Sequence, residues 1–537
     1  MAERKLPIGI QSFEEIREEG YLYVDKTEYI WDLVNTGETY FLSRPRRFGK
    51  SLLISTISAY FQGKKELFKG LAIEKHENEK GKDAWQSYPV ICFSLTEGKY
   101  QSDEGIQNQY SRILHETAVR YGVKVQIDNK NLSSCFCNLI KALYRKTGKQ
   151  VVVLVDDYDR PVLDVMETNP EQAKKNEQFF IRFFSVLKDE DAYVKFSFIT
   201  GITEFHNESV FGGLNQLRDI SMSVDYAAVC GVTEKEMKDL FEPEIRTMSE
   251  GQHLTEEECI HELARMYDGY HFSENGEAVY NPFSLFNAFA DRKFGSYWFD
   301  TGTPTFLIHK LRNSDFSPED FTDGVEIGET QLPDYRPDNT NPIPLFFQTG
   351  YLTICGYRKR IHPGNGVYVM KFPNEEVRTG FLEMLAPYVI GNRNADDKRF
   401  FGKMAEDIEN GDLDSFMKRL KVLFARIPYP DNHEKSYEWE WRNQVFELFV
   451  LLGENVQAEV HSSHGRADCI VETERYVCIF EFKLDQNVDD ALKQIDEKGY
   501  AEPYLMDQRK VRKVGISFSS EKRNIDQWKS ISLSNNS

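Results

Sequence analysis

The fold of the C-terminal part follows from the stretch Gly465-Arg466-Ala467-Asp468-Cys469-Ile470-Val471, followed by Val477-Cys478-Ile479-Phe480-Glu481-Phe482-Lys483. Both segments have the apolar composition of short strands, and twelve residues separate Asp468 from the Glu-x-Lys. Because side chains alternate along a strand, Phe480 and Phe482 are expected on one face, with Glu481 and Lys483 on the other. A hairpin partner would bring Asp468 next to them. Two carboxylates and an ammonium on one patch suit a divalent metal and the charge that develops in phosphodiester hydrolysis.

This pattern resembles the PD-(D/E)xK nuclease superfamily, with Ala467 in place of the proline that names the motif. The resemblance implies that Asp468 and Glu481 ligate Mg²⁺ or Mn²⁺ and that Lys483 acts beside the scissile phosphate. The alternative interpretation is a surface hairpin with a solvated Glu–Lys pair.

Two flanking segments have helical patterns. In the segment 437–453, Trp441, Val445, Leu448 and Leu452 form one helical stripe, and Glu438 falls on the same side. Glu438 is either a further acid of the metal site or a helix N-terminal acid that the macrodipole favours, and both interpretations stay open. The second segment, 489–495, opens with two acids, and its Gln494 is expected to reach the site or a phosphate backbone. The order helix, strand, strand, helix is that of the nuclease core.

The N-terminal part contains a phosphate-loop pattern. A short strand at 39–42 precedes Ser43-Arg44-Pro45-Arg46-Arg47-Phe48-Gly49-Lys50-Ser51, and a helix is predicted from Leu52 to about Phe61. In such a loop, backbone amides and the helix N-terminus bind phosphate oxygens, Lys50 reaches the β- and γ-phosphates, and Ser51 ligates magnesium. The strict pattern has glycine where this chain has Arg44.

Two predicted strands supply the other half of a nucleotide site. The run 150–155 is almost entirely β-branched, as a central parallel strand requires, and it ends at Asp156-Asp157. A carboxylate at the carboxyl end of such a strand is placed for magnesium, so Asp156 is assigned to the metal and Asp157 to the attacking water. The strand 194–199 ends at Thr200, which is placed to sense the γ-phosphate.

The whole pattern resembles the bacterial AAA-ATPase-like proteins, which commonly carry a C-terminal PD-(D/E)xK nuclease domain. The matching segments are Tyr23–Thr27, Arg44–Ser51, Asp156–Pro161, Gly213–Asn215, Tyr267–Tyr270 and Tyr280–Ser284. The resemblance implies that Arg44 is ordinary for the family, that ATP is the nucleotide, and that residues 46–51 with Asp156 and Thr200 bind it. The family usually has Glu at the position of Asp157, so nucleotide binding is expected while fast hydrolysis is left open.

The predicted architecture is α/β in three parts. A P-loop NTPase domain of AAA-like, parallel-sheet type covers residues 1–235, and a helical middle region follows at 236–400, opening with a capping-box pattern at 231–236. An α/β nuclease-like domain of the PD-(D/E)xK type covers 401–537, with its core at 437–531. A stiff connector is predicted ahead of that core, at Ile427-Pro428-Tyr429-Pro430.

Composition excludes several classes of protein. The chain has 537 residues, of which 40% are hydrophobic, and no apolar run exceeds strand length, so no membrane span or signal peptide is expected. The eight cysteines contain no Cys-x-x-Cys pair, which favours reduced thiols and a cytoplasmic protein. The net charge of −20 argues against indiscriminate coating of DNA, although a local basic cleft can still guide a strand.

The predicted function is an ATPase coupled to a metal-dependent nuclease that acts on nucleic acid, DNA more than RNA. A role in defence or mobile-element biology is compatible by analogy, and a homo-oligomer is left open. The alternative is a nucleotide-dependent switch or scaffold that binds a protein or nucleic acid and cleaves nothing. The acidic charge and Asp157 favour this alternative, whereas the complete Asp468, Glu481 and Lys483 set favours the nuclease.

Overall fold

The computed structural model divides the chain into two compact units, an N-terminal unit (Met1–Arg378) and a C-terminal unit (Thr379–Ser537). The structure describes residues 4–166, 168–204, 217–298, 307, 311, 321–322, 324–333, 341–359, 366–381, 396–425, 455–462, 465–473, 475–504, 507–522 and 524–533. The three-domain boundaries at 235 and 400 stay a prediction.

The N-terminal unit is built on a five-stranded parallel sheet of spatial order β2-β3-β4-β1-β5. Its strands are β1 (Thr39–Ser43), β2 (Val90–Ser94), β3 (Val151–Asp156), β4 (Val194–Gly201) and β5 (Arg218–Asp219). Every residue of β3 is buried, because a strand with parallel neighbours on both sides is covered on both faces. The carboxyl ends of β1, β3 and β4 therefore meet at one edge of the sheet.

Helices connect and cover these strands. They are α1 (Phe13–Glu18), α2 (Thr27–Thr36), α3 (Lys50–Phe61), α4 (Ala72–Glu79), α5 (Asp103–Arg120), α6 (Leu132–Thr147), α7 (Arg160–Leu163), α8 (Pro170–Phe184) and α9 (Val186–Asp189). The amphipathic α6 shows how they are delimited. The Asn131 side chain caps its first turn, and Gly148 ends it in the left-handed conformation.

The middle region of this unit is helical, as predicted, and also contains two small antiparallel sheets. Its described helices are α10 (Glu234–Leu240), α11 (Glu242–Gln252), α12 (Glu256–Tyr267), α13 (Pro282–Asp291) and α14 (Ile343–Thr349). The sheets pair β6 (Val232–Thr233) with β7 (Val279–Tyr280), and β10 (Val367–Lys371) with both β8 (Val325–Gly328) and β9 (Thr353–Arg358). The capping box predicted at the start of α10 is present, between Thr233 and Glu236.

The C-terminal unit is a five-stranded mixed sheet in sequential order β11 to β15. Its elements are α15 (Asp396–Glu409), α16 (Leu413–Phe424), β11 (Asn455–Ser462), β12 (Gly465–Glu472), β13 (Tyr476–Leu484), α17 (Val488–Glu497), β14 (Lys510–Ser519) and β15 (Asn524–Ser532). The pair β13–β14 is parallel and the other pairs are antiparallel. The predicted fold class, a parallel-sheet NTPase domain, a helical middle region and an α/β nuclease-like domain, is thereby confirmed.

Alternation along β13 sets the two faces of this sheet. Cys478, Phe480 and Phe482 belong to a core with α15 and α16, whereas Val477 and Ile479 belong to a core with α17. By the same alternation, Glu481 and Lys483 are on the face of the sheet that α17 covers.

Candidate functional sites

The phosphate loop connects β1 to α3 at the carboxyl edge of the parallel sheet. Gly49 ends it with φ 98°, a left-handed backbone that glycine adopts without strain. Arg47 also has a positive φ, 68°, which is costly for a residue with a side chain. The loop borders a cleft of about 350 Å³ whose lining includes Arg46, Arg47, Lys50 and Ser51.

Lys50 lies at the base of this loop. Its Nζ donates to the carbonyl oxygens of Arg44 at 2.9 Å and of Pro45 at 3.0 Å, and the residue is only 6% exposed. The ammonium is therefore already fixed at the start of α3, where an anion would also face the positive end of the helix.

Arg44 is a buried structural residue at the position where a strict phosphate loop has glycine. Its guanidinium donates to the carbonyls of Ser43, Ser221 and Tyr226 at 2.7–3.0 Å and lies 4.1 Å from the centroid of the Phe272 ring. Burial lowers its pKa to about 10, with Cys230 and Asp219 acting in the opposite direction. Arg44 thus ties the end of β1 to the segment after β5.

Asp156 lies at the end of β3, as predicted, and contacts two of the other predicted site residues. It accepts a hydrogen bond from Thr200 Oγ1 at 2.9 Å and another from the Ser51 side chain. Burial raises the pKa of Asp156, and the neighbouring Asp157 raises it further, while Ser51, Thr200 and Lys50 lower it. Ser51 and Asp156 are oxygen ligands of the kind that Mg²⁺ prefers, so the pair fits that metal.

The remaining predicted nucleotide residues take different positions. Asp157 lines the cleft and has φ 53°, a left-handed backbone that is sparsely populated for residues with a side chain. Thr200 is fully buried and donates its hydroxyl to Asp156, and its role as a γ-phosphate sensor stays a prediction. The Phe48 ring packs into the core against Tyr270 and Phe272, and the residue contributes to the loop through its backbone.

The residues of the cleft lining to which sequence analysis assigned no role include Arg160 and Phe283. Arg160 pairs with Asp164 at 2.7 Å, and Phe283 packs under the Arg47 guanidinium at 4.7 Å from its ring centroid. Arg160 is three residues after Asp157, just beyond the end of β3. This closeness in sequence is the feature from which its place at the cleft could have been predicted. Phe283 lies in the Tyr280–Ser284 motif, and nothing local indicates that it reaches the loop.

In the C-terminal unit, Asp468 and Glu481 are brought together by the antiparallel pairing of β12 with β13. The last registered pair is Cys469 with Phe480, so Asp468 and Glu481 are next to each other on the following rung. Asp468 Oδ2 accepts the backbone N–H of Phe482 at 2.9 Å, and Glu481 Oε1 accepts Lys483 Nζ at 3.3 Å. The structure therefore gathers all three residues of the predicted motif.

Glu481 is the most strongly perturbed group of this cluster. It is 1% exposed, and its Oε2 has no hydrogen-bond partner among the described residues. Burial raises the pKa of Glu481 to about 8, the Asp468 charge raises it as well, and Lys483 lowers it. A buried carboxylate with one free oxygen, next to a second carboxylate, fits a divalent cation. Among the described residues, no group of three or more His, Cys, Asp or Glu converges.

Helix α17 covers this face of the sheet, and a glycine allows it to approach. Gly515 pairs with Glu481 across β13–β14, and a Cβ at this position would lie 2.8 Å from the carbonyl oxygen of Val488. The first turn of α17 therefore packs directly beside Glu481. Gln494 is half-buried in the second turn of α17, and its described hydrogen bond is the helical one from Lys498 N to its carbonyl. Its contact with the site stays a prediction.

Several predicted features lie outside the described residues. They are Glu438 and the rest of the helix predicted at 437–453, the connector at 427–430, and the segment Gly213–Asn215.

Comparison with known proteins gives a family for each of the two regions that contain these residues. Residues 7–211 match the family described as "Predicted AAA-ATPase", and residues 436–528 match the PD-(D/E)XK nuclease superfamily. The chain is also 35% identical over 536 residues to a protein of Azotobacter chroococcum mcd 1 described as "Uncharacterized protein in vnfD 5'region", with 98% of each chain covered. The protein therefore belongs to the predicted AAA-ATPase family and carries a C-terminal domain of the PD-(D/E)XK nuclease superfamily.

Proposed function

We propose that this protein is an ATP-binding P-loop ATPase coupled to a metal-dependent nuclease that hydrolyses phosphodiester bonds in DNA. The observation that carries the proposal is Glu481, a buried carboxyl group beside Asp468 and Lys483, one oxygen of which has no hydrogen-bond partner in the part of the chain that the structure describes. Burying a carboxyl without full pairing costs stability, and such groups concentrate at functional sites.

In the N-terminal unit, the phosphates of ATP would lie against the loop amides and the first turn of α3. Lys50 would bind the β- and γ-phosphates, and Arg46 and Arg47 line the same cleft, so their charges favour an anionic ligand. Ser51 and Asp156 would hold Mg²⁺. Asp157, which lines the same cleft, would orient the attacking water.

In the C-terminal unit, Asp468 and Glu481 would hold Mg²⁺ or Mn²⁺, which supplies charge stabilisation and an activated water at sites of this kind. The Phe482 N–H fixes the Asp468 carboxylate before any ligand binds. Lys483 is held 3.3 Å from Glu481, so its ammonium would neutralise negative charge that develops on the phosphate. Glu438 and Gln494 are proposed as supporting residues of this site.

We further propose that the protein acts in the cytoplasm and that nucleotide in the first unit controls cleavage by the second. No described helix is long and apolar enough to cross a membrane. A role in defence or mobile-element biology is an analogy from the pairing of the two domains, and self-association is a further proposal.

The decisive experiment is cleavage of plasmid and single-stranded DNA by the full chain with Mg²⁺ or Mn²⁺, with and without ATP. Metal-dependent nicking that Asp468→Ala abolishes supports the nuclease. Retained ATP binding without nicking of either substrate supports the alternative, a nucleotide-dependent switch or scaffold, which the net charge of −20 favours.

A further inference from the structure

The phosphate loop is held from behind by residues far away in the sequence. Trp298 Nε1 donates to the carbonyl oxygen of Arg46 at 3.2 Å. Trp298 is only 6% exposed, and its ring packs 5.0 Å from that of Tyr351. The cleft lining includes Arg46 and Arg47 but not Trp298, so Trp298 contacts the loop without being part of the cleft wall.

Glu376 fixes the backbone from which Trp298 projects. Its Oε1 accepts the backbone N–H groups of Tyr297 at 2.6 Å and of Trp298 at 2.9 Å, and the residue is 1% exposed. A buried carboxylate that receives two backbone donors is a strong, directional anchor. Hydrogen bonds thus connect Glu376 to the backbone of Trp298, and the indole of Trp298 to the carbonyl of Arg46 in the loop.

The segment 374–378 that carries Glu376 is itself hydrogen-bonded to the core of the N-terminal unit. Asn374 caps the segment by accepting Val377 N–H, and its Nδ2 donates to the Asp268 carbonyl at 2.7 Å. Gly269 has φ 89°, and a Cβ there would lie 2.1 Å from the carbonyl oxygen of Pro373, so only glycine permits this approach. The anchor is therefore rigid.

Peptide geometry connects this anchor to nucleotide binding. In a trans peptide the C=O of one residue and the N–H of the next point in opposite directions. Because the indole binds the Arg46 carbonyl, the Arg47 N–H points away from the indole, and Arg47 is a residue of the cleft lining, where loop amides would bind phosphate. Arg47 also has φ 68°, a costly conformation that persists only where neighbouring structure enforces it.

We propose that Trp298 and Glu376 are positioning residues of the phosphate loop, which set the Arg46–Arg47 peptide in the orientation that binds nucleotide phosphate. This inference rests on the proposed nucleotide binding. Neither residue touches the ligand, and each acts through the loop.

The test compares Mg-ATP affinity by calorimetry in the full chain. Trp298→Phe keeps a ring but removes the N–H, and we expect its Kd to rise about 3- to 10-fold, the effect of one lost hydrogen bond. Glu376→Ala should raise the Kd at least as much, and Glu376→Gln, which keeps an acceptor oxygen, should restore it to within about twofold of wild type. Tyr297→Phe is the matched control, because the Tyr297 hydroxyl contacts Asp291 and the Lys293 carbonyl rather than the loop.

Hydrogen exchange of residues 44–51 in nucleotide-free protein gives a second readout that is independent of ATP binding. We expect faster exchange there in Trp298→Phe and Glu376→Ala, and wild-type exchange in Tyr297→Phe. Wild-type protection of 44–51 in Trp298→Phe overturns the inference. If wild type binds no ATP, the proposed function fails, and the exchange result alone decides whether Trp298 orders the loop.

Discussion

Replacing Glu481 with glutamine is expected to stabilise the metal-free fold and to weaken the binding of the proposed metal ion. The substitution keeps the shape of the side chain and removes the charge. In the folded chain the pKa of Glu481 is raised from 4.5 to about 8, first by burial and then by Asp468. Between pH 4.5 and about 8, the Glu481 carboxyl therefore keeps its proton in the folded chain and loses it in the unfolded chain. The free energy of unfolding consequently falls as pH rises through this range.

The magnitude follows from the interval between the two pKa values. At 1.36 kcal/mol per pKa unit, the interval corresponds to about 5 kcal/mol above pH 8 and roughly 3 kcal/mol at pH 7, as upper bounds that side-chain relaxation reduces. Glu481→Gln lacks this pH-dependent loss. Its advantage over wild type should be under about 1 kcal/mol at pH 5 and larger at pH 7, where roughly 3 kcal/mol is the upper bound. For a unit of this size that bound corresponds to a rise in Tm of at most about 6–12 °C.

Calorimetric unfolding of the full chain in EDTA, at pH 5 and pH 7–8, measures this difference in the transition of the C-terminal unit. Glu497→Gln is the control, because Glu497 is an exposed residue of α17 that pairs with Lys493. Mg²⁺ or Mn²⁺ should raise the Tm of wild type more than that of Glu481→Gln, since the cation binds the ionised carboxylate. A difference between wild type and Glu481→Gln that does not change with pH refutes the reasoning.

Three further predictions concern activity. Lys50→Ala should abolish tight ATP binding and Asp156→Ala should impair turnover more than binding; wild-type affinity of Lys50→Ala in calorimetry contradicts the assignment. Asp468→Ala, Glu481→Ala and Lys483→Ala should each lose about 10²- to 10³-fold in cleavage rate while remaining folded, so unchanged plasmid nicking by any of them argues against its role. If the units are coupled, a DNA duplex should change the affinity of the Glu481→Ala variant for an ATP analogue by about 5- to 150-fold. Equal affinities with and without DNA, together with a 401–537 fragment that cleaves as fast as the full chain in ATP, would mean that the units are tethered without coupling.

Local sequence was sufficient for the elements that build both sites. The apolar run of β3 and the Gly-Lys-Ser at the start of α3 are interpretable from neighbouring residues alone, because a central parallel strand and a phosphate loop impose their own composition. Strand alternation likewise placed Glu481 and Lys483 on one face and Phe480 and Phe482 on the other. The first and last residues of these helices and strands differ from the predicted ones by one or two positions. Helix α3, for example, begins at Lys50 rather than Leu52.

Contacts between distant segments could not be predicted in this way. Arg44 donates hydrogen bonds to the carbonyls of Ser221 and Tyr226. The Arg46 carbonyl accepts a hydrogen bond from Trp298, which is 252 residues away in the sequence. Periodicity and motif spacing describe only neighbours along the chain, so the sequence marked Arg44 as a departure from the strict loop without showing what holds it.

The sequence by itself determined which chemical groups each site contains: a phosphate loop with Lys50 and Ser51, an acidic strand end at Asp156, and the set of Asp468, Glu481 and Lys483. Only the tertiary structure decided how those groups behave. Thr200 is hydrogen-bonded to Asp156, and the strand neighbour of Glu481 is Gly515, which lets the first turn of α17 approach the sheet. The physical reason is that burial and hydrogen bonding, which set the pKa of a carboxyl and the orientation of a loop, arise from residues that only folding brings together.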